Sequence, residues 1–325
     1  MATLEFVARR LVWAVFVILG IIIVNFILLR LAPGDPAAIM AGQAGATDEQ
    51  YIAQLRAQFG LDRPLHVQLY TYIFDVARLD LGFSARQQVP VADLIMQRMP
   101  ATLLLTGVAF LFSLGVGILL GALASRRAGG WADSFITVLA LAAYATPIYW
   151  LGLMLILLFS VWLGWLPAYG MATIGGGAGG LAYSLDVARH LLMPALTLGL
   201  FYMAVYARLT RASMLEVQDQ DFVKTAKAKG LPDWRITRAH VLRNAVLPVI
   251  SYAGFQAGHL VGGAVLVETV FGWPGIGRLA FDALLQRDYN LLLGVFLFTA
   301  IMVIVFNIIT DIVYTLVDPR IEVGR

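Results

Sequence analysis

Long uncharged apolar runs dominate the chain and are separated by polar stretches. A bilayer core about 30 Å thick takes roughly 20 residues of helix. Six runs reach that length: residues 11–29, 101–124, 134–163, 191–207, 245–267 and 291–316. The third is longer than a span needs and carries Pro147 near its middle, so a tilt or kink is expected there. Arg9 and Arg10 precede the first run as they would in a signal peptide. Its apolar stretch exceeds a signal h-region and no small-residue cleavage site follows before Pro33, so it reads as an uncleaved helix. The pattern predicts an all-α membrane protein with six transmembrane helices in a single domain, residues 1–325.

Three stretches leave the membrane. Residues 32–100 read as a small helical cap between the first two spans. Within it Thr47 and Gln50 form a capping box, Ile52, Leu55 and Phe59 recur on one helix face, and Gly60 ends the helix. Packing on the bundle explains this cap as well as substrate contact does. Residues 174–180 are glycine-rich and read as a flexible outer loop.

The third stretch, residues 208–243, is too regular for a linker. Asp219 and Asp221 precede a short helix whose later turns carry Lys224, Lys227 and Lys229, an order that suits the helix dipole. Gly230 ends it, and Pro232 and Asp233 begin a second helix that returns to the membrane through Asn244 and Pro248. Three lysines could rest on anionic lipid. Ala226, Ala228 and Gly230, however, leave a slender helix whose insertable apolar face is little more than Phe222 and Val223, which suits a groove in another protein better.

Charge fixes orientation. With the N-terminus inside, Arg9, Arg10, Arg126, Arg127, Arg208, Arg211, Arg235, Arg238, Arg243, Arg320, Arg325 and every lysine are cytoplasmic, as the positive-inside rule requires. Both termini are then expected in the cytoplasm. Only 13% of the residues are charged and 60% are hydrophobic, so the net charge of +3 reflects this bias rather than nucleic-acid binding. There is no cysteine, which removes disulfides, thiolate metal sites and cysteine nucleophiles from consideration.

Residues 221–250, DFVKTAKAKGLPDWRITRAHVLRNAVLPVI, resemble the cytoplasmic coupling motif of ABC-importer permeases. Asp221, Thr225, Ala226 and Gly230 fall on its positions, with Thr225 where the common pattern has the first of two alanines. The segments PGDP (33–36), FGLDRPL (59–65), DLGFS (80–84), TRASMLEV (210–217), ETVFGWPGIGRL (268–279), RDY (287–289) and DPRI (318–321) resemble the dipeptide and oligopeptide branch. The resemblance implies a type I ABC-importer permease fold in the bacterial inner membrane. It also implies a second, homologous permease, two ATP-binding-cassette ATPases that carry ATP and Mg, and an extracytoplasmic solute-binding protein. The implied cargo is a peptide, with glutathione, nickel chelates and some sugars carried by similar chains.

Inside the membrane, Gly254, Gly258 and Gly262 recur every four residues on one face of the fifth span, which suits close helix packing. His259, near its centre, is an ionisable group that either lines the pathway or bonds a neighbouring carbonyl. Glu268, towards its outer end, reads as a partner for an arginine such as Arg278 or as part of an external gate. Asn25, Gln256 and Asn307 read as polar links between helices, and Asp311 as a group reaching for a basic partner at the cytoplasmic side.

An enzyme is not indicated. The four histidines are scattered, no HExxH pattern occurs, and neither Ser134 nor Ser251 has a recognisable base and oxyanion partner. No Gly-Lys pair exists, so the chain has no P-loop and ATP hydrolysis falls to partners. A secondary transporter driven by an ion gradient is the alternative class; it calls for broken helices and buried acids near the midplane, and gives the 208–243 loop no use.

Overall fold

Fourteen α-helices make up the described chain of this computed structural model. In order they are α1 (Ala2–Leu31), α2 (Pro36–Gln43), α3 (Glu49–Gln58), α4 (Leu65–Ala77), α5 (Val91–Arg126), α6 (Trp131–Ala145) and α7 (Ile148–Leu155). There follow α8 (Gly180–Gln218), α9 (Asp221–Ala228), α10 (Asp233–Arg235), α11 (Arg243–Gly263), α12 (Val265–Val270), α13 (Ile276–Leu285) and α14 (Tyr289–Val317). Two π-helical stretches, Ile156–Trp162 and Ile236–Leu242, extend α7 and lead into α11. The structure describes residues 2–31, 36–43, 48–58, 60–84, 86–175 and 179–317, without the side chains of 2–8, 11, 36, 39, 40, 43, 55, 58, 259–263 and 311–317. The PGDP segment up to Asp35, Thr47, Phe59, part of the glycine-rich tract, the DPRI segment, and the side chains of Leu55, His259 and Asp311 therefore lie outside the description. Among the described residues the β contact is a lone bridge, Phe83 to Pro90.

Among the described residues, four helices are long and apolar enough to cross a membrane: Val12–Leu31, Val91–Arg126, Gly180–Gln218 and Tyr289–Thr310. A fifth span is available if α6 and the α7 segment count as one, but they are bent by 104° at their junction. The apolar run over 134–163 predicts a tilt or kink at Pro147; the structure breaks the helix there. The cause is local: Thr146, preceding Pro147, is driven into extended backbone (φ −77°, ψ 128°) and the proline offers no N–H to continue the ladder. The fifth apolar run is also divided, between α11 and α12 at Ala264. The fourth extends well beyond 191–207, because α8 stays helical past its apolar band through Arg208 and Arg211.

The helices cluster into two compact units, residues 1–100 with 278–304, and residues 101–277 with 305–317. In the first, Ile22 of α1, Val76 of α4 and Leu297 of α14 share a buried cluster, and Asn25 Nδ2 donates to the Leu293 carbonyl at 3.2 Å. Ala37 and Ala41 of α2 are buried against Ile52 of α3. The cap of α3 is supplied by Asp48, whose Oδ1 accepts the Gln50 N–H at 3.0 Å, and the chain leaves α3 through Gly60 at φ +61°. Gln68 organises the turn that follows: its Nε2 donates to the carbonyls of Leu61 and Arg63, and its Oε1 accepts from Arg30 at the end of α1.

Two of the quoted sequence segments, 204 residues apart, meet at one carboxylate in this unit. Asp288, buried, caps α14 by accepting the Leu291 N–H at 3.2 Å through Oδ1. Its Oδ2 accepts the Ser84 hydroxyl at 2.5 Å and the Arg86 N–H at 3.3 Å. DLGFS and RDY are therefore halves of a single structural joint. Asp288→Ala removes a helix cap and leaves the buried Ser84 hydroxyl without its acceptor. The expected loss is about 2–4 kcal/mol, read as a fall in Tm and faster proteolysis between residues 80 and 90; an unchanged Tm contradicts this assignment.

In the second unit, α5 and α8 approach so closely that side chains are excluded. A Cβ on Gly117 would stand 2.5 Å from Tyr206 Cβ, and one on Gly121 would stand 2.5 Å from the Ala207 carbonyl oxygen. Higher along the pair, Gly199 makes room for the Phe112 ring in the same way, at 2.6 Å. Leu105, Met193, Leu198, Phe271 and Trp273 form the main core beside them.

Candidate functional site

The polar loop builds a small helix on a bed supplied by its own chain. In α9, Val223 is fully buried and Ala226 nearly so, packed with Met214 of α8, Ile236 and Val241 of the π-helical stretch, Ala245 of α11, and Ala122 of α5 at the edge. The apolar face counted from sequence thus divides: Val223 points inward, while Phe222 stays 44% exposed. Asp221, Lys224, Thr225, Lys227, Ala228 and Lys229 are all exposed. Lys224 Nζ lies 2.9 Å from Asp221 Oδ1, an exposed pair that adds little stability, and Thr225 Oγ1 donates to the Asp221 carbonyl at 2.9 Å. The outward face is therefore mostly polar, with the Phe222 ring set among the charges, and Trp234 lies exposed just beyond it.

Gly230 closes α9 at φ +75°, the left-handed region that side chains resist. Its N–H bonds the Lys227 carbonyl at 2.9 Å and the Leu231 N–H bonds the Ala226 carbonyl at 3.4 Å, while Leu231 packs on the cluster that buries Ala226. This is the Schellman arrangement, which satisfies the last carbonyls and fixes the angle at which the chain leaves the helix. Nothing lies within 4 Å of where a Gly230 Cβ would be, so backbone conformation and not space demands glycine.

Beneath α9, Arg211 of α8 grips Asp133 in the first turn of α6. Arg211 Nε meets Asp133 Oδ1 at 2.6 Å and Nη2 meets Oδ2 at 2.7 Å, a bidentate pair around a buried carboxylate. Asp133 Oδ2 also accepts the Gly129 N–H at 2.9 Å, which ties in the turn from α5. Sequence reading counted Arg211 only as a cytoplasmic charge and did not single out Asp133. The available signal was an acid at the threshold of an apolar run, a place where an unpaired carboxylate is costly.

Glu268 is fully buried at the far end of α8's unit. Its Oε1 accepts the Thr102 hydroxyl at 2.7 Å, and Thr102 in turn accepts the Ile276 N–H at 2.8 Å. Trp273 Nε1 donates to the Ala101 carbonyl at 2.8 Å, so the segment 268–277 is knotted onto the start of the second span. Gly272, at φ +60°, lies under the Tyr169 ring, and the Gly170 N–H bonds the Phe271 carbonyl at 2.8 Å. Gly254 of α11 fits against Thr310 of α14, whose hydroxyl donates to the Gly254 carbonyl at 3.1 Å. Gly258 is buried on the same helix, and His259 and Gly262 follow it in α11. Gln256, also on α11, is buried. The structure thus keeps the α9 residues together at one end of this unit and Glu268 apart from them, in the knot.

Two family models match consecutive parts of the chain. Residues 117–323 match the binding-protein-dependent transport system inner membrane component, and residues 3–106 match the N-terminal part of such membrane components. The dipeptide transport system permease protein DppB of Escherichia coli (strain K12) is 40% identical, over 98% of this chain and 99% of that protein. The di/tripeptide transport system permease protein DppB of Pseudomonas aeruginosa (strain UCBPP-PA14) is 41% identical, over 99% of this chain and its own full length. Among solved structures, an inward-facing form of the MetNI methionine ABC transporter aligns with a TM-score of 0.56 at 18% identity, covering 69% of this chain and 96% of that one, a likeness of fold. The chain therefore belongs to the inner-membrane components of binding-protein-dependent transport systems, the permeases of ABC importers, and is a multi-pass protein of the inner membrane.

Proposed function

We propose that this permease forms half of the translocation pathway of a peptide importer and that α9 is the helix through which ATP drives it. Identity of 40–41% with dipeptide and di/tripeptide permeases over nearly the whole chain carries the cargo reading. The shape of α9 supports the docking: its inner face is occupied by its own chain, whereas its outer face presents Asp221, Phe222, Lys224 and Thr225 to a partner. In this reading the loop and both termini are cytoplasmic, residues 32–100 form an outer cap, and the partners are a homologous permease, two ATPases bearing ATP and Mg, and an outer binding protein. Closure of the ATPases on ATP displaces α9, and the bundle exchanges inward-facing and outward-facing states.

The test is to tag the chain, solubilise native membranes gently and identify what copurifies. A second permease, ATPase subunits and a binding protein that releases short peptides on denaturation are the expected result. A binding protein loaded with another solute would overturn the peptide cargo alone. Recovery of the chain by itself would overturn the docking role of α9.

A further inference from the structure

Resting on the reading of α9 as the driven helix, we infer that Asp133 and Arg211 are positioning residues that make α6 move with it. Three observations converge on this. Met214, one turn beyond Arg211 on α8, is fully buried under Val223 and Ala226, and Ser125 Oγ of α5 donates to its sulfur at 3.3 Å. Any displacement of α9 therefore bears on the π-helical stretch that leads into α11 as well as on the end of α8. There α8 is bound to α5 through the side-chain-free contact at Gly121, where an added Cβ would stand 3.0 Å from the Arg211 nitrogen. Its described polar link to α6 at this level is the two-pronged Asp133–Arg211 pair.

Close packing and the Ser125–Met214 hydrogen bond join α8 to α5, and packing along their length, with the Tyr144 and Phe201 rings stacked, joins α8 to α6; at this end α6 is further held by a charge pair whose carboxylate also gathers the Gly129 N–H. The pair consequently closes α5, α6, α8 and α9 into one block. The next interruption of the helix along the chain is the Thr146–Pro147 break, where α6 meets α7 at 104°. Motion imposed on α9 is thus delivered to that break and not dissipated as sliding between α6 and α8. A bidentate guanidinium does this better than an ammonium, because two parallel bonds resist rotation as well as separation.

The test uses the complete transporter, with its ATPases and binding protein, in proteoliposomes. Asp133→Asn and Arg211→Lys are each compared with wild type for ATP hydrolysed per substrate imported, at equal amounts of assembled complex. A ratio raised about tenfold, with hydrolysis retained, is the expected result; an unchanged ratio in both overturns the inference. Because the chain has no cysteine, Asp133→Cys with Arg211→Cys gives a second measurement should either single variant fail to assemble. The thiol pair is expected to be uncoupled when open and to regain coupling when bridged by a short thiol-specific cross-linker, with the wild type treated alike. Normal coupling in the open form, or no recovery on bridging, overturns the inference. If the wild type itself imports nothing with ATP, it is the function of the transporter and not the role of this pair that has failed.

Discussion

Gly230→Val is expected to cut ATP-driven import by at least about tenfold while leaving the transporter assembled. Space does not forbid the valine, since nothing lies within 4 Å of the new Cβ; the φ of +75° does. A β-branched residue there costs about 1–2 kcal/mol, enough to turn the backbone back to negative φ and release the Leu231 and Gly230 bonds that close α9. The helix itself survives, because Val223 and Ala226 remain seated on Met214 and Ile236. What shifts is the exit angle of the chain and, with it, the presentation of the outward face. Gly230→Asn, which tolerates the left-handed region, is expected to keep most import. Uptake and ATP hydrolysis in membrane vesicles distinguish the cases, and wild-type coupling in the valine variant would remove α9 from the mechanism.

Gly275→Val is expected to prevent accumulation of folded protein altogether. Here the backbone is ordinary and the space is absent: a Cβ would stand 2.2 Å from the Glu268 carboxyl carbon. That carboxylate cannot retreat without losing Thr102, which also holds the Ile276 N–H, and the Gly277 backbone stands so close that an added Cβ there would lie 3.0 Å from Oε2. Overpacking of about 1–3 kcal/mol adds to a comparable loss for each polar group left unpaired, a sum of the order of a whole domain's stability. Fluorescence-detected size exclusion of a tagged protein reads the outcome. Adding Glu268→Ala to Gly275→Ala is expected to restore more monodisperse protein than Gly275→Ala alone retains, because the truncated side chain vacates the contested space. Additive losses would show that the knot is not formed as described.

Much of this could be read from sequence because lipid imposes a simple rule, that apolar runs of the right length are helices. The α9 loop was legible for a second reason: charge order, small residues and a terminal glycine each have local causes, and the structure arranges them locally. Contacts between distant segments were not legible. Nothing in DLGFS announces that Ser84 will donate to Asp288, and nothing in Glu268 announces Thr102. The 254–258–262 spacing drew attention to α11, whereas Gly117 and Gly121, at the same spacing, mark the close approach of α5 to α8. Spacing identifies a face that can be approached but not the helix that approaches it. Likewise Pro147 signalled a disturbance, but the size of a 104° bend depends on what the next segment packs against, here Phe271 beside Gly152 of α7.

The central claim, that this chain conducts solute only when separate ATPases drive it, is tested most directly by reconstitution with its copurifying partners. Import of labelled dipeptide is measured with ATP supplied at the α9 face, and again with an imposed proton or sodium gradient and no ATP. Uptake that requires ATP and persists when ionophores dissipate every gradient is the result expected. Uptake that proceeds without ATP and collapses with the gradient would contradict it and make the chain a secondary transporter.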